Sequence, residues 1–222
     1  MDPGMAARGL FITVEGIEGV GKSSNLAFLA AQLREYGVDV MVTREPGGTP
    51  LGEDIRALLL SLREQPVSPM SELLLIFAAR AQHLCDVIEP HLAAGRWVLC
   101  DRFTDATYAY QGGGRGIDAA AIAELETLVQ GELRPDYTLL LDVDVATGLE
   151  RARGRGELDR IEREAVEFFE QVRARYLALA QASSGRFRVV DARQPLDAVQ
   201  RELAQLGREL LTCWGVRHPE AG

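Results

Sequence analysis

The stretch Gly16-Ile17-Glu18-Gly19-Val20-Gly21-Lys22-Ser23 follows the pattern G-x-x-x-x-G-K-S, which is typical of a phosphate-binding loop. Residues 10–14 before it (Leu-Phe-Ile-Thr-Val) contain no breaker and predict a buried strand. Residues 24–33 after it carry apolar side chains at helical spacing. In this order, the loop N–H groups and the helix dipole can face phosphate oxygens. The loop therefore predicts a nucleotide site, in which Lys22 reaches the β- and γ-phosphates and the Ser23 hydroxyl can bind Mg²⁺.

The composition is that of a globular protein of 222 residues, with 47% hydrophobic and 26% charged residues. A net charge of −9 excludes the overall basic surface typical of nucleic-acid-binding proteins, so an anionic ligand needs local positive charge. No stretch is long and apolar enough to span a membrane. The three cysteines are widely spaced and suggest neither a disulfide framework nor a metal site, which fits the reducing cytoplasm.

The order of strand and helix patterns along the chain predicts a three-layer α/β domain over residues 9–213. A flexible N-terminal tail (1–8) and a C-terminal tail (214–222) are expected on either side. Short apolar segments alternate with helical patterns, at residues 10–15, 38–43, 96–101, 137–142 and 187–191. Such alternation favours a five-stranded parallel sheet flanked by helices. Ligands of these sheets bind at the carboxyl ends of the strands. Polar residues lie at or directly after the ends of the predicted strands, at Glu15, Arg44-Glu45, Asp101-Arg102, Asp142 and Asp191.

Two segments outside the strands carry further predictions. Residues 70–94 form a long helical pattern whose first half is apolar nearly all round, so that one side can face the sheet and another a second subunit. Residues 151–160 (Arg-Ala-Arg-Gly-Arg-Gly-Glu-Leu-Asp-Arg) are basic and interrupted by glycines. A solvated face is the commoner fate of such a run. The glycines instead favour a mobile lid, over about 151–161, that excludes water from the site.

Three classes of nucleotide-dependent protein are compatible with the loop alone. A switch GTPase needs an Asn-Lys-x-Asp segment, but Lys22 is the only lysine in the chain. A mechanical ATPase places acidic residues at the end of an apolar strand, which residues 139–142 (Leu-Leu-Leu-Asp) could imitate. Arginines near strand ends favour a small-molecule kinase, because it must hold two anionic substrates and neutralise the transferring phosphoryl group.

Asp101 and Arg102 follow a predicted strand beside that of the phosphate-binding loop. An aspartate at this place can hold Mg²⁺, and the adjacent arginine can reach the phosphate of an acceptor. The alternative is a simple ion pair at the end of the strand.

Several longer motifs accompany the loop: Thr43-Arg44-Glu45-Pro46-Gly47-Gly48-Thr49, Asp101-Arg102-Phe103, Ala109-Tyr110-Gln111-Gly112-Gly113-Gly114-Arg115-Gly116, and Arg155-Gly156-Glu157-Leu158-Asp159-Arg160. In this combination the chain resembles bacterial thymidylate kinases over about residues 8–210. The resemblance implies a P-loop nucleoside monophosphate kinase fold and transfer of the γ-phosphoryl group of ATP to dTMP, with Mg²⁺, in dTTP biosynthesis. It also implies a cytoplasmic homodimer that associates through helix 70–94. Two alternatives remain: a kinase for another nucleoside monophosphate, and a non-kinase P-loop ATPase.

The resemblance also implies roles for individual residues. ATP would contact Gly16, Ile17, Glu18, Gly19, Val20, Gly21, Lys22, Ser23, Ser24, Asp191 and Ala192, with Ser23 and Asp101 as metal ligands. The phosphate of dTMP would contact Arg56 and Arg102, its 3′-hydroxyl Glu18, and its base Arg80, Thr107 and Gln111, with Phe77 stacking on the ring. Arg44, Glu45, Pro46 and Tyr110 would complete the substrate pocket. Lys22, Arg102, and Arg155 or Arg160 would act on the transferred phosphoryl group.

The sequence departs from common family patterns at two positions. In many relatives an aromatic residue lies four positions before the base-binding arginine, and this position is Ile76 here. Some members carry an arginine inside the P-loop, where this chain has Gly19. The second departure resembles the bacterial subtype in which the lid supplies the catalytic arginine.

Overall fold

The computed structural model describes residues 8–154 and 158–217. Its strands are β1 (Phe11–Glu15), β2 (Val40–Arg44), β3 (Trp97–Asp101), β4 (Tyr137–Asp142) and β5 (Phe187–Asp191). Its helices are α1 (Lys22–Glu35), α2 (Pro50–Leu60), α3 (Pro69–His83), α4 (Glu89–Ala93), α5 (Thr104–Thr107), α6 (Ala119–Gln130), α7 (Val145–Arg153), α8 (Val166–Ala182) and α9 (Leu196–Arg217). The π-helical segments Leu84–Ile88 and Tyr108–Gly114 follow α3 and α5.

The strands of the described residues form one parallel sheet in the order β2-β3-β1-β4-β5, which confirms the predicted α/β fold. The central strand β1 is buried along its whole length, because helices cover both faces of the sheet. Val14 aligns with Asp101 in β3 and with Leu139 in β4. The carboxyl ends of these strands are therefore level, and the loop after β1 lies beside Asp101 and Arg102.

Two apolar layers hold the helices on the sheet. On one face, Phe11, Val98 and Cys100 pack against the run from Leu84 to Leu92. On the other face, the larger core joins the sheet to α1, α8 and α9. Cys100 is fully buried in β3, and burial raises the pKa of its thiol. Among the described helices, none combines the length and apolar composition needed to cross a bilayer.

The C-terminal part of the chain differs from the prediction. A tail was expected from residue 214, but α9 continues to Arg217. The reason is an aromatic contact, since the Trp214 ring packs edge-on against Trp97, with centroids 5.7 Å apart. The contact extends the apolar stripe of α9 by one more turn. Residues 1–7 of the expected N-terminal tail and residues 218–222 lie outside the described residues.

Glu15, the last residue of β1, is completely buried and directly precedes residues 16–23, the phosphate-binding loop, which is called the nucleotide loop below. One carboxyl oxygen accepts a hydrogen bond from the Phe103 backbone N–H (2.8 Å), and the other accepts one from the Tyr176 hydroxyl (2.7 Å). Burial, together with the negative charge of Asp105, raises the pKa of Glu15 to about 8. The side chain is therefore mostly neutral at pH 7.

We predict that Glu15→Gln stabilises the protein increasingly as the pH rises. Between about pH 4.5 and 8, folded wild-type protein keeps a proton that its unfolded chain releases, so its free energy of unfolding falls with rising pH. The glutamine does not titrate. Its amide oxygen can accept the hydrogen bond from the Phe103 N–H, and its NH₂ group can donate one to the Tyr176 hydroxyl oxygen. Relative to wild type, its free energy of unfolding should rise by about 2 to 4 kcal/mol from pH 5 to pH 9, measured by urea unfolding.

The exposed carboxylate of Glu132 provides the control. Glu132→Gln should follow the wild-type pH dependence throughout. If the difference in free energy of unfolding between wild type and Glu15→Gln stays constant from pH 5 to pH 9, Glu15 is not the buried, proton-binding group.

Candidate active site

A cavity of about 440 Å³ lies at the carboxyl ends of β1, β2 and β3. The loop after β1 forms one wall, and α2 and α3 form another. The segment after β3 and residues 159–162 close the remaining sides. This is the edge of the sheet at which the sequence predicts a ligand.

The loop of residues 16–21 adopts a conformation that depends on glycine. Gly16, Gly19 and Gly21 have φ values of 139°, 73° and 85°. A Cβ on Gly19 would also collide with the backbone carbonyl of Gly148. The first hydrogen bond of α1 runs from the Asn25 N–H to the Gly21 carbonyl (3.1 Å). The amides of residues 22–24 precede that bond, so they form an anion-binding turn at the helix N-terminus.

Lys22 lies folded over this loop and is buried. Its Nζ donates hydrogen bonds to the carbonyls of Gly16 (3.0 Å) and Ile17 (2.8 Å) and lies 3.9 Å from the Glu18 carboxylate. Burial and the nearby charge of Arg102 lower the pKa of Lys22. The ammonium therefore lies at the cavity edge, within reach of a phosphate bound in the loop.

Arg102 joins the end of β3 to the nucleotide loop. Its backbone has φ = 70°, unusual for a residue with a side chain. Its guanidinium donates to Glu18 (2.7 Å) and to the Gly16 carbonyl (3.1 Å), and lies 4.6 Å from the centre of the Tyr110 ring. Burial alone would lower the pKa of Arg102, but the Glu18 carboxylate raises it. The structure thus brings together Lys22, Arg102, Glu18 and Tyr110 at the wall of the cavity.

Asp101 fits the role of a metal ligand. Its Oδ1 is buried and has no hydrogen-bond partner within residues 8–154 and 158–217. The Asp101 side chain shares the cavity wall with Ser23. No group of three or more histidine, cysteine or acidic side chains that could hold a metal exists in the part of the chain described. This donor set suits Mg²⁺, which usually binds one or two carboxylates together with substrate phosphates.

Arg80 on α3 is the cationic residue most deeply buried in the cavity wall. It donates to Glu45 (2.7 Å) and Thr107 (3.0 Å), and its guanidinium lies between the rings of Phe77 and Phe103. Its Nη1 has no partner among the described residues. A buried donor without a partner is costly, so this atom is suited to a ligand carbonyl.

His83 and Thr43 complete the support of Arg80 through Glu45, and the sequence analysis assigned a role to neither. His83 Nδ1 lies 3.0 Å from Glu45, and its Nε2 lies 2.6 Å from the Thr43 hydroxyl. Burial would raise the pKa of Glu45, but Arg80 and His83 lower it below its ordinary range. The spacing of Arg80 and His83 could have indicated a shared role, because residues three positions apart lie on the same face of a helix.

The structure corrects the placement of Phe77. Its ring packs in an apolar cluster with Leu73 and Ile122, and Ile76 occupies the cavity wall instead. Successive residues of an α-helix point about 100° apart, so the helix face that carries Arg80 into the cavity turns Phe77 behind that arginine. Phe77 therefore supports Arg80 and lies outside the position expected for stacking on a base.

Two arginines, Arg44 and Arg56, lie on the side of the cavity formed by α2. Arg56 donates to the Pro46 carbonyl (3.0 Å) and lines the cavity. Burial and the charges of Arg44 and Arg102 lower the pKa of Arg56. Arg44 itself is more exposed and pairs with Glu53 (2.7 Å). The convergence of arginines suits a phosphate group.

Of the two lid arginines proposed to act on the phosphoryl group, Arg160 can be located, whereas Arg155 lies outside the described residues. Arg160 lines the cavity, and its Nη2 donates to Glu72 on α3 (2.6 Å). Gln111, at the same wall, donates to Glu72 as well (2.8 Å). Sequence analysis missed Glu72, although a carboxylate at the start of the apolar run 73–79 was a visible signal.

Asp191 and Ala192 lie at the end of β5, outside the cavity wall formed by the described residues. Arg193 lowers the pKa of Asp191 to about 2 through a hydrogen-bonded ion pair. Arg151 donates to the Ala192 carbonyl (2.9 Å), so α7 is tied to this loop. The structure therefore places Asp191 and Ala192 at the same edge of the sheet as the cavity, but not among the described residues of its wall.

Comparison with known proteins identifies the family. A family model described as thymidylate kinase matches residues 14–203. The chain is 62% identical over 198 residues to the thymidylate kinase of Pseudomonas entomophila, covering 89% of this chain and 94% of that protein. It is 60% identical over 195 residues to that of Teredinibacter turnerae, covering 88% and 95%. The crystal structure of thymidylate kinase from Ehrlichia chaffeensis matches with a TM-score of 0.73 at 37% identity, covering 90% of this chain and 98% of that one. The chain belongs to the thymidylate kinase family.

Proposed function

We propose that this protein transfers the γ-phosphoryl group of ATP to dTMP and releases ADP and dTDP. The observation that carries the proposal is that one cavity of about 440 Å³ combines the nucleotide loop, a carboxylate suited to Mg²⁺ and several arginines. Membership of the thymidylate kinase family supports the choice of dTMP. A kinase needs this combination, because two anionic substrates must be held close together.

The ATP side of the reaction is assigned to the loop and to α1. The amides of residues 16–24 would bind the phosphates, with Lys22 at the β- and γ-phosphates. Asp101 and Ser23 would hold Mg²⁺, whose chemistry is to neutralise charge on the phosphate oxygens. Asp191 and Ala192 would lie near the adenine.

The dTMP side is assigned to the opposite wall. Arg56 and Arg102 would bind the phosphate, and Glu18 would accept a hydrogen bond from the sugar 3′-hydroxyl. The Nη1 of Arg80 would donate to a carbonyl of thymine, while Thr107 and Gln111 bond the base edge. The nearby residues Arg44, Glu45, Pro46 and Tyr110 complete this wall.

The chemical step would depend on positioning and charge neutralisation. The phosphate of dTMP is already an anion near neutral pH, so the acceptor oxygen needs no general base. Lys22 and Arg102 supply positive charge beside the loop, and Arg155 or Arg160 of the lid would add charge at the transferring group. Closure of the lid, over about residues 151–161, would exclude water as a competing acceptor.

We also propose a cytoplasmic homodimer that associates through helix 70–94. Exposed residues recur on one face of this helix at helical spacing: Met70, Leu74, Ala78, Ala81 and Cys85. Leu74 exposes 50% of its surface. An apolar stripe of this kind suits a self-complementary contact between two copies of the helix.

The reaction is tested by measuring ADP release from ATP and Mg²⁺ with each deoxynucleoside monophosphate in turn. We expect release that depends on dTMP. Dependence on another monophosphate would replace the assigned substrate, and release without any acceptor would indicate a non-kinase ATPase.

Lys22→Ala should lower turnover at least about 100-fold, because the proposed positive charge at the β- and γ-phosphates is lost. Arg201→Ala, which removes an exposed arginine on α9 paired with Asp197, serves as the control and should retain wild-type turnover. Full activity of Lys22→Ala in the same assay would overturn the assignment of the loop.

Leu74→Glu should raise the dissociation constant of the dimer at least about tenfold, because it places two charges in an apolar contact. Light scattering coupled to size-exclusion chromatography over a dilution series measures this. Leu196→Glu replaces a similarly exposed leucine on α9 and should leave the dimer intact. A monomeric wild-type protein, or a Leu74→Glu dimer of unchanged affinity, would refute the proposed interface.

A further inference from the structure

Glu72 on α3 is a buried carboxylate that the proposed reaction does not use, although it lines the cavity. Its Oε1 accepts hydrogen bonds from Gln111 Nε2 (2.8 Å) and Arg115 Nε (3.2 Å). Its Oε2 accepts them from Arg160 Nη2 (2.6 Å) and Arg115 Nη2 (3.3 Å). One side chain therefore joins three residues that are distant in sequence.

Arg160 is fixed at further points besides Glu72. Its Nε donates to the Leu59 carbonyl (2.6 Å), and its backbone N–H donates to the Leu60 carbonyl (3.1 Å) at the end of α2. Arg115 reaches the same segment, because its Nη1 pairs with Glu164 (2.7 Å). Residues 158–164 are thus held against the end of α2 by the Leu59 and Leu60 carbonyls, and against α3 by Glu72, which also binds Arg115.

The protonation state of Glu72 determines the orientation of Gln111. Burial would raise the pKa of Glu72, but Arg115, Gln111 and Arg160 lower it below its ordinary range. An ionised carboxylate can only accept hydrogen bonds, so Gln111 must present its amide nitrogen to it. The amide oxygen of Gln111 then points elsewhere and is available to accept a hydrogen bond from a base N–H.

We propose that Glu72 is a positioning residue, which holds residues 158–164 closed over the cavity through Arg160 and orients Gln111 towards the base of the monophosphate. The second part rests on the proposed function, since it assumes that a nucleobase binds beside Gln111. The first part concerns the protein alone. Glu72 thereby links the base-binding wall to the segment that covers the site.

Hydrogen exchange of the nucleotide-free protein tests the first part. Glu72→Gln removes the negative charge and replaces one accepting oxygen by an NH₂ group that cannot accept, so it weakens the contacts to Arg160 and Arg115. We expect peptides covering 158–164 to exchange about tenfold faster, as for the loss of one charge-assisted hydrogen bond. Peptides from the apolar part of α3 should keep wild-type protection.

Glu126→Gln is the matched control. Glu126 is also a buried carboxylate, and it pairs with Arg134 (2.6 Å) and Tyr108 (2.6 Å). This variant should leave exchange of 158–164 unchanged. Equal effects of the two substitutions, or no effect of Glu72→Gln, would overturn the proposal.

Steady-state kinetics test the second part. Glu72→Gln should raise the KM for dTMP about tenfold and change the KM for ATP by less than about twofold, because Gln111 and Arg160 lose their fixed positions on one wall only. A purely structural role would lower the concentration of active enzyme and leave both KM values unchanged. That result would overturn the assignment of Glu72 as a positioning residue.

Arg160→Gln removes the hydrogen bond between Arg160 and Glu72 by changing the arginine instead of the carboxylate. If Glu72 acts through Arg160, the double variant should show faster exchange of 158–164 by no more than the larger single effect. Additive effects would overturn the coupling. A wild-type protein that fails to phosphorylate dTMP would refute the proposed function, whereas the exchange data decide independently whether Glu72 holds the segment.

Discussion

The active site depends on the pairing of buried positive charge with carboxylates. The chain carries a net charge of −9, yet its cavity must attract phosphate groups. Four cations of the cavity are held by acidic partners: Lys22 and Arg102 by Glu18, Arg80 by Glu45, and Arg160 by Glu72. A buried charge without a partner is strongly destabilising, so these carboxylates keep the guanidinium and ammonium groups in place.

The sheet determines where these pairs form. Because the strands are parallel and their carboxyl ends are level, the loop after β1 and the turn after β3 meet at one edge. Arg102 adopts a positive φ immediately after β3, which directs its side chain back to the loop. Glu15 lies beneath Arg102 with a pKa of about 8, so near neutral pH it competes little for the charge of that arginine.

Much of this arrangement could be predicted from local sequence. The G-x-x-x-x-G-K-S pattern between a strand and a helix identified the nucleotide loop, and the alternation of apolar segments predicted the parallel sheet. The positions of Asp101 and Arg102 followed from their place at a strand end.

The remaining features depend on tertiary contacts that no local pattern contains. The sequence predicts Phe77 at the cavity, but the neighbouring residue Ile76 is the one on the side of α3 that faces it. His83 and Glu72 looked like ordinary helix residues, because their partners are distant in sequence. The end of α9 depends on the contact between Trp214 and Trp97, which are more than a hundred residues apart.

The position of Lys22 has a consequence for the chemistry of the whole protein. All other basic side chains apart from the histidines are arginines, whose guanidinium groups stay protonated throughout the physiological pH range. Lys22 is therefore the only side-chain amine, and its lowered pKa increases the fraction of the reactive, neutral form. Any reagent or modifying enzyme that targets lysine has a single side chain to act on, and that side chain lies in the nucleotide loop.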